Sequence, residues 1–242
     1  MPEPWDSYLL TYHDTNPGIT EDCLSEARDA DGRSPYGWLV DAVPAGAATV
    51  VDLACGSEPL APLLAGARVV GVDQSAGELA RASGPRVRAQ ASAVPLAGGC
   101  TDVVVSSMAL MLLHPLEAVL AEVARLLRPG GTFVATVPRR SAGSPVFAAI
   151  MRDLNQVGLG YPEPLDDAGV PGRFAAAGLQ LEGDESTVFA RTVRDPADAA
   201  HVVRSFYAPG AGDDQVAAAV ATLEKSAPVV VGYRIRRLVA RR

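Results

Sequence analysis

Along the chain, short β-branched apolar runs alternate with longer stretches of helical spacing, and their order predicts an α/β fold. The first run, Ala48-Thr-Val-Val-Asp-Leu53, is too short for a helix and apolar on both faces, as a covered parallel strand is. Ala67-Arg-Val-Val-Gly-Val-Asp73 predicts a second strand and Arg86-Val-Arg-Ala-Gln90 a third, more polar one. Thr101-Asp-Val-Val-Val-Ser106 and Thr132-Phe-Val-Ala-Thr-Val137 predict a fourth and a fifth. Between them, helices are expected over 59–65, where Ser57 suits an N-cap and Pro59 a first turn, and over 76–82 behind Ser75. A third helix, 115–127, carries Leu116, Val119, Leu120, Val123 and Leu127 at helical spacing, and Arg128-Pro-Gly-Gly131 makes a sharp turn after it. Strands alternating with helices imply a mostly parallel sheet.

The flanks read differently. Trp5 to Tyr12 predicts a helix that Asn16-Pro17-Gly18 ends, Thr20 and Glu21 open another over 20–30, and Ser34-Pro35 opens a third carrying Tyr36, Trp38 and Leu39. This aromatic-rich segment is either a helical cap packed on the sheet or a lid over a ligand site. After the fifth strand, helices are expected over 142–157 and 165–177, then a sixth strand over 179–193. Two inserted helices follow, 195–207 and 213–225, and a seventh strand from Pro228 to Arg242. Without an internal repeat or a low-complexity linker, residues 1–242 read as a single domain. Its parts are a cap at 1–45, a core at 46–139, and substrate-side helices with the last strands at 140–242.

Composition narrows the function. Hydrophobic residues make up 48% of the 242, enough for a sizeable core, and the net charge of −7 with a pI near 5.0 argues against a nucleic-acid partner. No apolar run is long enough to span a bilayer, and Met1-Pro-Glu-Pro-Trp-Asp lacks the pattern of a secretory signal, so a cytoplasmic setting is expected. Cys23, Cys55 and Cys100 form neither a disulfide framework nor a metal spacing, and no metal site is expected.

The candidate chemistry gathers at strand ends. Asp52 closes the first strand, and the small residues Ala54, Cys55, Gly56 and Ser57 lead to an expected helix N-terminus, which together would cradle a ligand. Asp73 ends the second strand, about twenty residues on, where nucleotide-binding α/β units place an acid on ribose hydroxyls. The plainer alternative for Asp73 is a helix-capping or turn residue.

Asp52-Leu-Ala-Cys-Gly-Ser-Glu58 resembles motif I of class I S-adenosylmethionine-dependent methyltransferases, an acid followed by Gly-x-Gly-x-Gly, with Ala54, Gly56 and Glu58 at the glycine positions. Gln90 followed by Ala91-Ser-Ala-Val-Pro-Leu96 resembles that family's Asp-Ala-x-x-Leu-Pro-Phe segment, and Ala121 to Thr132 its Glu-x-x-Arg-x-Leu-x-Pro-Gly-Gly segment. These three segments and Asp73 at the end of the second strand, in order over residues 48–137, carry the resemblance, which is to the small-molecule and quinone-biosynthesis branch. It implies a Rossmann-like, doubly wound seven-stranded sheet with an antiparallel last strand and an N-terminal helical cap.

The resemblance further implies S-adenosyl-L-methionine as methyl donor and S-adenosyl-L-homocysteine as product. The cofactor would lie against Asp52, Ala54, Cys55, Gly56, Asp73, Gln74, Gln90, Ala91, Ser107 and Met108, with Tyr36 and Tyr12 packing on its methionine part or on the substrate. Gln90 would accept a hydrogen bond from the adenine amino group. The implied reaction is in-line displacement at the sulfonium methyl by an O, N or C nucleophile of a small molecule, with His13 or His114 as the candidate base. A structural or surface role is the alternative for either histidine. Two other readings stand beside this one: a protein that binds the same cofactor for a non-methylating reaction, and a non-catalytic scaffold. A dinucleotide fits poorly, because Gly-x-Gly-x-x-Gly is absent and Glu58 would repel a pyrophosphate.

Overall fold

The computed structural model describes residues 5–139, 145–155, 161–163, 165 and 167–242. Its elements, in chain order, are α1 (Trp5–Thr15), α2 (Ile19–Ser25), α3 (Pro35–Val40), β1 (Thr49–Leu53), β2 (Arg68–Asp73), α4 (Ala76–Arg81), β3 (Arg86–Arg88), β4 (Thr101–Ser107), α5 (Leu116–Leu126) and β5 (Leu127–Pro138). There follow α6 (Pro145–Asp153), α7 (Val170–Ala176), β6 (Gln180–Val193), α8 (Pro196–Arg204), α9 (Asp213–Glu224) and β7 (Val229–Arg241). The seven strands form one sheet in the order β3-β2-β1-β4-β5-β7-β6. The first five are parallel, and β7 runs antiparallel to both β5 and β6. This is the Rossmann-like arrangement expected.

The period-two geometry of strands sorts the apolar runs onto two faces. Val51 and Leu53 of β1, Val104 of β4 and Phe133 and Ala135 of β5 point to one side, where α5 lays down Leu116, Val119, Leu120, Val123 and Leu126. Each such fully buried Val, Leu or Phe side chain contributes on the order of 1.5–3 kcal/mol. Val50, Val103, Val105 and Val134 point to the other side, against Leu24 of α2 and Tyr36, Trp38 and Leu39 of α3. A third cluster joins α6, α8 and α9 around Leu154, Val202 and Leu223.

The N-terminal segment therefore divides its duties. α3, capped by Ser34 Oγ on the Gly37 amide, is a layer helix, with Trp38 packed on Phe189 and under the Arg237 guanidinium. α1 instead lies across the sheet's carboxyl edge, pinned where Trp5 Nε1 donates to the Leu112 carbonyl at 3.1 Å.

Four expectations change. The helix over 59–65 is a single 3-10 turn, Ala61–Leu64, with no side-chain cap, because Pro59 and Pro62 remove amide donors. The helix expected over 20–30 stops at Ser25, and Arg28 instead pairs its backbone with Ala190 of β6. The turn at 128–131 is a bulge within β5, between pairs Thr101↔Leu127 and Val103↔Thr132. The two helices expected after β5 are shorter, 145–153 and 170–176; residues 142–144, 156–157 and 166 of those spans lie outside the described residues.

Because β1 has β2 on one side and β4 on the other, the chain reverses its direction of winding there, and a crevice opens at the strands' carboxyl ends.

Candidate active site

The turn after β1 shapes this crevice. Ala54, Gly56 and Glu58 all have positive φ, at 56°, 52° and 66°. Left-handed backbone is open to Gly56 without penalty but costs an L-residue roughly 1–2 kcal/mol. The Glu58 side chain turns out of the crevice. It enters a slot beside Gly71 of β2, where a Cβ would lie 2.3 Å from its Oε1, and accepts the Gly84 amide at 2.9 Å. The charge expected to face a ligand at this position is therefore directed away from it. Ser57, read as a helix cap, donates its hydroxyl to the Glu21 carboxylate instead, so no capped helix N-terminus forms the cradle.

The crevice encloses about 910 Å³, including the part open to solvent. Asp52, Ala54, Cys55, Gly56, Asp73, Gln74, Ala91, Ser107, Met108 and Tyr36 all line it. Gln90 does not: it is exposed, and its neighbours Ala89 and Ala91 face the crevice instead. Asp73 is anchored by two backbone donors, the Gly56 amide to Oδ2 at 2.9 Å and the Ser75 amide to Oδ1 at 2.8 Å. Both oxygens keep a lone pair for a ligand hydroxyl. Burial raises its pKa, against the opposing effect of those two bonds.

Asp52 is 1% exposed, and its Oδ2 has no hydrogen-bond partner among the described residues. Burial first, then the charges of Glu58 and Asp73, pushes its pKa up to about 8. The Cys55 thiol is also pushed up, by burial and then by Asp52 and Asp73, so it stays protonated and is no nucleophile. Glu21 and Glu78 add two more carboxyl groups, and among the described lining residues there is no Lys or Arg. Such a wall suits a cationic ligand and repels phosphate.

The two candidate histidines part company. His13 of α1 lines the crevice; its Nδ1 lies 2.8 Å from Glu78 Oε1 and its Nε2 3.1 Å from the Tyr207 hydroxyl. His114 is exposed, outside the crevice, with Nδ1 2.5 Å from Glu163. Glu163 also holds Arg173 and the Leu116 amide, so the His114 cluster ties the loop before α5 to α7.

Glu78 and Tyr207 were not singled out in the sequence, and Glu21 was read only as part of a helix start. Glu78 had one signal, the Ser75-x-x-Glu78 capping pattern, and Ser75 Oγ does accept the Glu78 amide at 3.1 Å. The Glu78 carboxylate, however, leaves the box to hold His13 and the Gly18 amide. Among the described residues no group of three or more His, Cys, Asp or Glu is placed to hold a metal ion, and no helix is long and apolar enough to cross a membrane.

Residues 51–135 match the family described as the methyltransferase domain, whose members use S-adenosylmethionine as methyl donor. No curated protein matches the chain. Among solved structures, the chain is similar to the [4+2]-cyclase SpnF at 18% identity and TM-score 0.66, over 97% of this chain and 94% of that one. It is similar to the YcgJ protein from Bacillus subtilis at 14% identity and TM-score 0.62, over 86% and 97%. A third is a SAM-dependent methyltransferase from Thermotoga maritima, at 14% identity and TM-score 0.53 over 86% and 87%.

Proposed function

We propose that this chain, whose residues 51–135 match the methyltransferase domain family, is a methyltransferase using S-adenosylmethionine that acts as one domain on a small apolar molecule in the cytoplasm. The observation that carries the reading is the wall of the crevice: buried Asp52 with an unpartnered oxygen, doubly anchored Asp73, and no basic residue among the described lining. The donor has no phosphate; it brings a sulfonium methyl, an ammonium, a carboxylate and a ribose diol. Asp73 would accept from the ribose hydroxyls, and Asp52 would face positive charge, which favours its carboxylate form. Backbone amides of the left-handed turn come close because Ala54, Cys55 and Gly56 are small. Leu9, Leu10, Leu112 and Leu113 would exclude water and leave room for an apolar acceptor. The donor supplies an electrophilic methyl group, and the protein's share is alignment, worth up to several kcal/mol in well-oriented pairs.

Calorimetric titration with S-adenosylmethionine and S-adenosylhomocysteine tests this. Micromolar binding that Asp73→Ala weakens by at least about tenfold, the loss of one good hydrogen bond to a charged group, is expected. Binding of NAD in preference to either ligand would overturn it. A second reading follows from the match to a [4+2]-cyclase over nearly the whole chain. Tight cofactor binding with no transfer of labelled methyl to any acceptor would favour a non-methylating reaction in the same crevice.

A further inference from the structure

Three side chains from three distant parts of the chain meet at the edge of the crevice. Glu78 comes from α4 in the core, His13 from α1, and Tyr207 from the segment after α8. Glu78 is 3% exposed and Tyr207 8%. Both histidine nitrogens are engaged, Nδ1 by a carboxylate and Nε2 by a phenol, and all three residues line the crevice. The tautomer with its proton on Nδ1 satisfies both contacts: Nδ1–H donates to Glu78 Oε1, and the Nε2 lone pair accepts the Tyr207 hydroxyl. Burial keeps Tyr207 a neutral phenol, opposed by the Thr20 hydroxyl beside its oxygen, and that oxygen has a second lone pair with which to receive a proton.

We propose that Tyr207, His13 and Glu78 form a proton relay that takes the proton of a neutral, weakly acidic hydroxyl, such as a phenol on a flat apolar molecule, as that oxygen is methylated. This rests on the methyl-transfer reading above. The acceptor oxygen bonds to the methyl carbon while the methyl–sulfur bond breaks and its electron pair stays on sulfur. The acceptor's proton moves to the Tyr207 oxygen as the Tyr207 proton moves to His13 Nε2. An imidazolium results, facing the Glu78 carboxylate, and it later loses its proton to solvent.

One positive charge thus leaves sulfur and one appears on His13, so the acidic wall faces the same net charge before and after. The same wall selects the acceptor's form. With Asp52, Asp73, Glu78 and Glu21 lining the crevice, an acceptor arriving as an anion is repelled, so an oxygen nucleophile must enter protonated and lose its proton during transfer. Leu9, Leu10, Leu112 and Leu113, with the Tyr36 and Tyr207 rings, suit an uncharged flat molecule better than an ammonium.

The test uses labelled methyl donor with shape-matched phenol, thiophenol and benzylamine acceptors on wild type, Tyr207→Phe and Glu78→Gln, with calorimetry of S-adenosylhomocysteine beside it. Expected are phenol methylation and a kcat loss of about 10²-fold or more in Tyr207→Phe, the scale of general-base catalysis. S-adenosylhomocysteine binding should stay within about threefold, and the loss should be much smaller for thiophenol, which can enter as the neutral thiol and is acidic enough to lose its proton without a positioned base. Nitrogen-15 spectra should show His13 as the Nδ1–H tautomer in wild type and as a mixture in Glu78→Gln. An equal loss on phenol and thiophenol, an unchanged Tyr207→Phe, turnover of the amine alone, or an Nε2–H tautomer would overturn the relay. So would no turnover of any of the three by protein that binds S-adenosylhomocysteine. Absence of that binding in wild type would instead remove the methyl-transfer reading, and the relay with it.

Discussion

Asp52→Asn separates what the crevice needs for binding from what the fold needs for stability. In the folded chain the Asp52 pKa rises from 3.8 to about 8, mainly through burial. A raised acid contributes its full stability below its unfolded pKa and loses it as pH climbs towards the folded value. Each pH unit in that window removes about 1.4 kcal/mol, so at pH 7 the wild type forgoes about 4 kcal/mol relative to an uncharged side chain. Asparagine avoids that loss but leaves an amide where Oδ2 already lacks a partner, a burden of about 1–3 kcal/mol. The variant should be close to neutral at pH 5 and more stable than wild type by about 1–3 kcal/mol at pH 7. The gap should widen by about 1.4 kcal/mol per unit up to pH 8. Urea unfolding of both proteins at pH 5, 6, 7 and 8 measures this directly. A difference that stays constant across the four pH values would refute the argument, since it would mean Asp52 is ionised throughout. The same variant should bind S-adenosylmethionine more weakly, having lost the carboxylate form that positive charge favours.

The Glu58 slot makes a double-mutant prediction. Gly71→Ala places a Cβ against the Glu58 carboxylate and 2.8 Å from Cys55 Sγ and should destabilise by about 1–3 kcal/mol, while in a Glu58→Gly background, where only the Cys55 contact remains, the same change should cost measurably less by denaturant titration. Glu58→Ala keeps the left-handed backbone and loses the charged bond to the Gly84 amide, so a loss of about 1.5–3 kcal/mol is expected, with S-adenosylhomocysteine affinity changed less than about threefold. His114→Ala should leave cofactor affinity and transfer rate within about twofold, because His114 stands outside the crevice, and its exposed pairing with Glu163 should register as less than about 1 kcal/mol in thermal unfolding.

Much of the sheet was legible because buried parallel strands are short β-branched runs, and β1, β2, β4 and β5 each fall on such a run. Asp52 and Asp73 were legible for the same reason: once the strands are placed, topology fixes which residues stand at their carboxyl ends. Side chains set by distant contacts were not. His114 follows β4 in a position that suggests the site, yet its direction is decided by Glu163, 49 residues later. Tyr207 reaches His13 across 194 residues, through an insertion whose composition announces only helices. Gln90 could take a ligand's amino group on chemical grounds, but its side chain is on the exposed edge of the sheet beyond β3.

Glu58 shows why a residue-by-residue comparison with Gly-x-Gly-x-Gly misleads. The glycines of such a turn make a statement about backbone, and that statement survives here: all three positions keep positive φ although two have side chains. The left-handed penalty at Glu58, roughly 1–2 kcal/mol, is offset by a charge-assisted bond to the Gly84 amide worth roughly 1.5–3 kcal/mol. That bond is possible only because Gly71, 13 residues further along and on the neighbouring strand, presents no side chain to fill the slot. The residue to weigh against Glu58 is therefore Gly71. A glutamate at the third glycine position with a larger residue at 71 would force its carboxylate out of the slot and towards the ligand, whereas the pair found here keeps the turn and leaves the crevice to Asp52 and Asp73.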